Sequence, residues 1–97
     1  MEIIWTNQSL DKLNKFVDYI ARDDADAAEK WALNLIDQTD QLIEHPESGR
    51  IVPEYNDPTL RELIFGNYRL IYRIRKDENT IYIQTVWHVR QEPPNKF

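Results

Sequence analysis

Three residues with complementary acid–base chemistry lie in the second half of the chain: Glu54, Arg69 and His88. A carboxylate such as that of Glu54 can take the proton from a ribose 2′-hydroxyl, and an imidazole such as that of His88 can protonate the leaving oxygen. The Arg69 guanidinium can stabilise the negative charge that develops at the phosphorus centre. The three residue types together therefore offer a candidate site for RNA cleavage that needs no metal ion.

Each of these residues also has an ordinary structural interpretation. Glu54 follows Pro53 in a segment that reads as a loop, where a carboxylate often caps a turn or forms a salt bridge. Arg69 can belong to a cross-strand ion network, in which an exposed pair contributes under about 1 kcal/mol. His88 is equally well explained as a structural histidine. Residue types alone leave catalysis and structure open.

Arginine is concentrated in the same half of the chain. Six of the seven arginines lie between residues 49 and 90, among strand-forming residues. The guanidinium is planar and always charged, and its donors match carboxylates and phosphates. This pattern predicts a sheet that meets an anionic partner, and Arg61, Arg73 and Arg90 could hold neighbouring phosphates if that partner is RNA.

The charge is unevenly distributed along the 97 residues, and the net charge is −5. Residues 1–48 carry 11 acidic and 4 basic side chains, whereas residues 49–97 carry 6 acidic and 8 basic ones. The second half can attract nucleic acid or an acidic protein segment. The overall acidity disfavours a strong nucleic-acid binder, because such domains are usually basic.

Composition excludes several other classes of protein. The absence of cysteine excludes disulfides and thiolate catalysis. The only glycines, Gly49 and Gly66, cannot form a phosphate-binding loop, and the two histidines lack the spacing of metal ligands. We therefore expect neither cofactor nor metal.

No apolar run approaches the roughly 18 residues of a membrane span, and residues 1–5 lack the features of a signal peptide. We therefore expect a cytoplasmic protein without membrane association.

Two amphipathic helices are predicted in the first half. The first begins after Thr6, which can cap it, and the second begins after Asp23 or Asp24 and stops near His45, because Pro46 disfavours a helical conformation in the residue before it. The apolar face of the first helix carries Leu10, Leu13, Phe16, Val17 and Ile20. The apolar side of the second carries Ala28, Trp31, Ala32, Leu35, Ile36, Leu42 and Ile43.

Strands are predicted at residues 3–5, 60–65, 68–74 and 80–89, with Gly66-Asn67 as a two-residue hairpin turn. Residues 50–59 read as an irregular connection, and the tail at residues 91–97 cannot continue a strand. The order β-α-α-β-β-β predicts one α+β domain over residues 1–97, in which a helical hairpin covers one face of a small sheet that has a three-stranded antiparallel stretch.

The alternation of side chains assigns faces to the last two strands. One face of the earlier strand carries Arg69, Ile71 and Arg73, and the other carries Tyr68, Leu70, Tyr72 and Ile74. In the last strand, alternation places Ile81, Ile83, Thr85 and Trp87 on one face and Val86, His88 and Arg90 on the other.

Short pieces along almost the whole chain resemble the RelE/ParE superfamily of toxins from type II toxin–antitoxin modules, and the ParE branch most closely. The matching pieces are Trp5-Thr6, Leu10, Leu13, Tyr19-Ile20-Ala21, residues 24–28, Leu42, residues 46–54, Arg61-Glu62, residues 68–72 and residues 86–90. The resemblance implies a helical hairpin on a small, mostly antiparallel sheet. It also implies a partner, a cognate antitoxin with a disordered segment that folds as it binds.

The resemblance implies two mechanisms. RelE-type members cleave messenger RNA, usually on the ribosome, and ParE-type members inhibit DNA gyrase. In a YoeB-like branch of RNases a loop glutamate, a sheet arginine and a late-strand histidine carry the chemistry, and Glu54, Arg69 and His88 match those positions by context. The residues expected to bind the antitoxin or the target are Arg50, Arg61, Arg73, Trp87 and Arg90.

Two departures favour the gyrase inhibitor, which is not an enzyme, over the nuclease. RelE-like toxins are typically basic, whereas this chain has a pI near 4.9. Val89 follows His88 where RNase toxins often have a tyrosine, which weakens the nuclease interpretation. A third departure counts against a specific gyrase contact, because the ending Gln91-Glu92-Pro93-Pro94 differs from the more basic tail of ParE-like chains. A messenger-RNA endoribonuclease and a non-toxic member that only binds its antitoxin are the alternatives.

Overall fold

A helical hairpin lies on one face of a five-stranded sheet in the computed structural model, which describes residues 1–91. The sheet order is β1-β5-β4-β3-β2, with β1 parallel to β5 and the other neighbours antiparallel. The elements are β1 (Glu2–Trp5), α1 (Asn7–Ala21), α2 (Ala25–Asp40), β2 (Arg50–Ile51), β3 (Leu60–Phe65), β4 (Tyr68–Arg75) and β5 (Thr80–His88), with 3₁₀ turns at Gln41–Ile43 and Lys76–Glu78. The predicted α+β fold is confirmed, and β2 is an addition to it. Within residues 1–91, neither helix is long and apolar enough to cross a membrane.

Side-chain caps define where both helices begin. The Thr6 hydroxyl accepts a hydrogen bond from the Ser9 N–H at 3.1 Å, and the Asp24 carboxylate accepts one from the Ala27 N–H at 3.1 Å. Such caps satisfy N–H groups that have no partner inside the helix. Both predicted caps are confirmed, and the second helix ends in a 3₁₀ turn just before His45.

The hairpin of β3 and β4 turns at Gly66-Asn67 as predicted, and Gly66 has the positive φ of 60° that such a turn requires. The predicted faces of β4 are also confirmed. Leu70, Tyr72 and Ile74 join the core under the helices, while Ile71 points to the opposite side. We call that opposite side, which the helices leave uncovered, the open face.

A β-bulge in β5 changes which residues face the helices. Ile71 pairs with Thr85 and Tyr72 with Ile83, so Gln84 is an extra residue without a partner in the strand register. The bulge reverses the alternation, and as a result Val86 joins Ile83 in the core while Trp87 reaches the open face. The prediction that Trp87 shares a face with Ile81 and Ile83 is therefore wrong.

Other expectations need smaller corrections. Leu10, Ile36 and Ile43, predicted on the apolar sides of the helices, are exposed. The hydrophobic residues that form the core under the helices are Leu13, Leu35, Leu42, Leu70, Tyr72, Ile74, Ile81, Ile83 and Val86. The expectation that the tail cannot continue a strand concerns mostly residues 92–97, which lie outside the described residues.

Candidate functional site

Glu54 and Arg69 form a two-point ion pair on the open face. Arg69 Nη1 and Nη2 donate to the two oxygens of Glu54 at 2.8 and 2.7 Å. This bond lowers the pKa of Glu54 to about 2 and raises that of Arg69. Two parallel bonds from a guanidinium make a strong and geometrically defined carboxylate contact. The structure thus brings two of the three predicted catalytic residues together.

Below this pair lies the fully buried carboxylate of Glu62. It accepts from Arg69 Nε at 2.6 Å and from Arg50 Nε at 2.5 Å. The Arg69 guanidinium also lies 4.5 Å from the centre of the Trp87 ring, a cation–π contact. Arg69 therefore has a carboxylate at each edge and an aromatic ring against its face.

His88 lies on the other side of the sheet. Trp87 is paired with Arg69 and packs on the open face, so its neighbour His88 points toward the helices. There the His88 ring makes an edge contact with Tyr68 at 5.1 Å. The sheet itself therefore separates His88 from the Glu54–Arg69 pair.

This arrangement is poorly suited to acid–base cleavage of RNA. A carboxylate with a pKa of about 2 is a weak proton acceptor at neutral pH. The Arg69 nitrogens already bond two carboxylates. A general acid on the opposite face cannot reach a phosphodiester held at the pair, because proton transfer requires hydrogen-bond distance.

Most of the predicted binding residues are engaged within the protein. Arg61 donates to the backbone carbonyls of Gly49, Pro58 and Glu47, and Arg73 donates to Asp57 at 3.1 Å. Trp87 is only 2% exposed, which leaves almost no surface for a partner. Three arginines and three carboxylates balance one another on the open face: Arg50, Arg69, Arg73, Glu54, Asp57 and Glu62.

Of the predicted binding residues, Arg90 has a different environment. It lies at the rim of a groove of about 500 Å³ between α1 and the end of β5, which we call the α1–β5 groove. Lys12 and Lys15 line the same groove, and none of these three cations forms an ion pair with any of residues 1–91. The aromatic side of the groove consists of Phe16, Tyr19, Tyr68 and His88, with Gln91 at the end.

Sequence reasoning missed this groove, although α1 carried a signal for it. Lys12, Lys15 and Tyr19 recur at spacings of three and four and so share a helix face. The polarity of that face predicts only contact with solvent. The partner strands supply Tyr68 and His88, which lie opposite each other in β4 and β5.

Sequence comparisons point to a single class of protein. The profile of the family described as "ParE toxin of type II toxin-antitoxin system, parDE" matches residues 3–93. A relative named Putative toxin Y4kP, from Sinorhizobium fredii, is 37% identical over 94 residues, which cover 95% of this chain and 92% of the relative. Toxin RelE2 from Caulobacter vibrioides is 38% identical over 63 residues, or 65% of this chain and 67% of the relative.

Solved structures share the fold. A structure titled as the chromosomal ParDE TA system from P. aeruginosa superposes with a TM-score of 0.74 at 20% identity, covering 91% of this chain and 95% of that one. The toxin–antitoxin complex RelBE2 from Mycobacterium tuberculosis superposes with a TM-score of 0.57 at 22% identity, covering 90% and 88% of the two chains. The helical hairpin on a mixed sheet is therefore the fold common to these proteins.

Proposed function

The chain belongs to the ParE toxin family of type II toxin–antitoxin systems, and from that premise we propose that it arrests growth by binding a protein target, expected to be DNA gyrase. The observation that carries this proposal is the separation of the residues that RNA cleavage would need. Glu54 and Arg69 are closed into an ion pair on the open face, and His88 lies beyond the sheet. The chain therefore acts on its target by binding it through its surface.

A messenger-RNA endoribonuclease is the second candidate function. The contact between Glu54 and Arg69 favours it, because a loop carboxylate and a sheet arginine do lie side by side. Cleavage would require the pair to separate and the end of β5 to rearrange so that His88 reaches the same phosphate. We rank it second for that reason.

The partner that neutralises the toxin is proposed to be a cognate antitoxin that binds it directly. The two structural neighbours are titled as a ParDE system and as a RelBE2 toxin–antitoxin complex, and the shared fold supports the same kind of assembly here. We place both the assembly and its target in the cytoplasm, where DNA gyrase acts.

Supercoiling by purified gyrase tests the target. Relaxed plasmid, ATP and gyrase are incubated with increasing amounts of the free chain, and the supercoiled product is measured on gels. We expect dose-dependent inhibition that is reversed by adding the antitoxin. Supercoiling that continues unchanged at saturating toxin would remove gyrase as the target.

A pair of histidine variants separates the two mechanisms. If the chain acts by binding a protein, His88→Ala and the control His45→Ala should both arrest growth when they are induced without antitoxin. If it is a ribonuclease, loss of the general acid should reduce RNA cleavage and toxicity by about 10²-fold or more in His88→Ala alone. Selective loss of toxicity in His88→Ala, with a folded variant, would favour the nuclease.

A non-toxic member of the family would behave differently in the same assay. Induction of the wild-type chain alone should arrest growth, and co-expression of the antitoxin should relieve the arrest. Normal growth at a demonstrated level of folded protein would instead indicate a chain that only binds its antitoxin.

A further inference from the structure

The side of α2 that is turned away from the sheet combines exposed apolar side chains with acidic ones. The large apolar residues are Leu33, Ile36 and Ile43, the last of them in the 3₁₀ turn that follows α2. The exposed acidic residues are Asp26, Glu29, Asp37, Asp40 and Glu44. We call these apolar and acidic residues together the α2 outer face.

We propose that the α2 outer face docks on a basic surface of the protein target, of the kind on which an enzyme that acts on DNA holds its substrate. The inference rests on the proposed function and assigns the surface through which the chain reaches its target. The apolar residues supply the contact area, and the acidic residues select the partner.

Helix geometry places the apolar residues on one side of α2. Consecutive residues in an α-helix are turned by about 100°, so Leu33 points almost directly away from the buried Ala28 and Leu35. Leu33 is 54% exposed, and Ile43 follows Ile36 by about two turns on the same side. The described part of the chain therefore leaves a row of large apolar side chains in solvent, and neighbouring exposed apolar groups often mark a surface that contacts another molecule.

The acidic residues of this face have no partner within the described chain. None of them forms an ion pair with any of residues 1–91, and Lys30 is the only basic residue of α2. Asp37 and Asp40 lie in the last turn of α2, where the helix dipole disfavours negative charge. These two carboxylates therefore do not stabilise the helix, and their charge is available to a partner.

The charge of the α2 outer face decides among possible occupants. Nucleic acid and anionic lipid surfaces are repelled by it, and so is the same face of a second copy of the chain. A basic protein surface is attracted. An enzyme that acts on DNA needs such a surface, because its lysines and arginines neutralise the DNA phosphates. Opposite charges across the interface accelerate association and fix its register.

A variant with fewer charges tests the acidic part of the face. It combines Glu29→Gln, Asp37→Asn and Asp40→Asn, all at exposed positions. We expect that at least about 10-fold more of this variant is needed to inhibit gyrase supercoiling by half, because electrostatic steering speeds association by about that factor or more. Growth arrest on induction without antitoxin should weaken in parallel.

The matched control makes the same exchanges at exposed positions outside the α2 outer face. It combines Glu2→Gln, Asp11→Asn and Asp18→Asn, and these three acids likewise form no ion pair with residues 1–91. We expect its half-inhibition to stay within about 3-fold of wild type. The face variant should unfold at the same urea concentration as wild type or a higher one, since it removes two charges that the helix dipole disfavours.

A second pair of variants tests the apolar part of the face. Leu33→Ala with Ile36→Ala shortens two exposed side chains on a helix, so the chain should still fold. We expect about 10-fold weaker inhibition, as for interface residues of intermediate importance. The control is Leu10→Ala with Ile64→Ala, which shortens the same residue types at exposed positions elsewhere and should inhibit like wild type.

Growth arrest separates failure of this inference from failure of the proposed target. If the wild-type chain arrests growth without inhibiting gyrase, and only the face variants lose the arrest, the target is a different protein and the docking surface stands. If folded face variants arrest growth and inhibit gyrase as strongly as wild type, the proposal is overturned and gyrase remains the target. Equal weakening in the face variants and their controls would also overturn it.

Other occupants of the α2 outer face give different results in the same variants. If the face variants remain toxic but the antitoxin no longer relieves the arrest, the face belongs to the antitoxin and the proposal is wrong. If the face variants keep their toxicity and differ from wild type only in oligomeric state by sedimentation, the face joins two copies of the chain and the proposal is again wrong.

Discussion

Arginine on the open face and cations at the α1–β5 groove occupy contrasting environments. Arg69 bonds Glu54 and Glu62 and stacks on Trp87, and Arg50 and Arg73 each have their own carboxylate. Lys15 and Arg90 at the groove form no ion pair with residues 1–91 and lie beside aromatic rings. The open face is rich in arginine, but carboxylates balance its charge. The α1–β5 groove has less arginine, but its cations form no ion pairs with residues 1–91.

The difference shows why the number of basic residues in a segment does not locate its binding surface. A buried carboxylate such as Glu62 requires cationic partners, because burying an unpaired charge costs several kcal/mol. Much of the arginine in the second half therefore serves to hold the sheet together. Lys12, Lys15 and Arg90 at the groove form no ion pair with residues 1–91 and are not used in this way.

Glu62→Gln gives the largest expected effect. The substitution removes the negative charge between Arg50 and Arg69, so that the largely buried Arg69 and the exposed Arg50 face each other across a neutral amide. We expect a loss of about 3 kcal/mol in the free energy of unfolding, the lower end of the range for a broken buried pair. Urea denaturation followed by circular dichroism measures it.

Arg50→Gln is the matched control for that variant. The Arg50 side chain is 58% exposed, and Glu62 keeps its bond to Arg69 when Arg50 is replaced. The expected loss is under about 1 kcal/mol. Equal losses of unfolding free energy in both variants would mean that the burial of Glu62 does not explain how the ion pairs of the open face stabilise the fold.

Tyr72→Phe tests how the loop that carries β2 is attached to the sheet. The buried Tyr72 hydroxyl accepts from the Gly49 N–H at 3.0 Å and donates to the Pro46 carbonyl at 2.7 Å. Gly49 is needed here because a Cβ would lie 2.5 Å from the Glu62 carbonyl oxygen. Loss of the hydroxyl should cost about 1–2 kcal/mol, measured by thermal and urea unfolding.

Tyr82→Phe is the corresponding control, because its hydroxyl donates to the exposed Glu78 instead of to buried backbone. Its unfolding free energy should match that of wild type within error. Equal losses of unfolding free energy in both tyrosine variants would mean that the bonds of Tyr72 to Gly49 and Pro46 do not stabilise the attachment of the loop.

The sequence predicts the fold well where local rules decide it. Thr6 and Asp24 cap the helices, Gly66-Asn67 turns the hairpin, and alternation in β4 places Tyr72 correctly in the core. These features depend on residues close together in the chain. The element order predicts that the helical hairpin packs on one face of a small sheet, and the resemblance to toxins implies the same fold.

The candidate site could not be predicted in the same way. The bulge at Gln84 lies beside a residue that is distant in the sequence, Thr6, whose hydroxyl donates to the carbonyls of Ile83 and Gln84. If the bulge is not known, alternation places Trp87 on the same face as Ile83. The contact between Trp87 and Arg69 is then not predicted. The separation of His88 from Glu54 follows from the register between β4 and β5, which no local pattern specifies.

The smallest effect concerns the pH dependence of the Glu54–Arg69 pair. The Arg69 bond lowers the pKa of Glu54 from its ordinary 4.5 to about 2. Because the folded-state pKa is the lower one, the stabilisation is fully present above pH 4.5 and is lost as the pH falls toward 2. Glu54 is 36% exposed, so solvent screening limits the contribution to under about 1 kcal/mol.

Urea unfolding of wild type and Glu54→Gln at about pH 7 and about pH 3 isolates this contribution. The difference in unfolding free energy between the two proteins should be larger at neutral pH and shrink in acid, because below pH 4.5 the carboxyl takes up a proton in the unfolded chain, which folding must release before the ion pair can form. A constant difference would mean that the Glu54 charge does not stabilise the open face. Arg69 would then be available to an anion, and the contrast between a balanced open face and the α1–β5 groove would no longer hold.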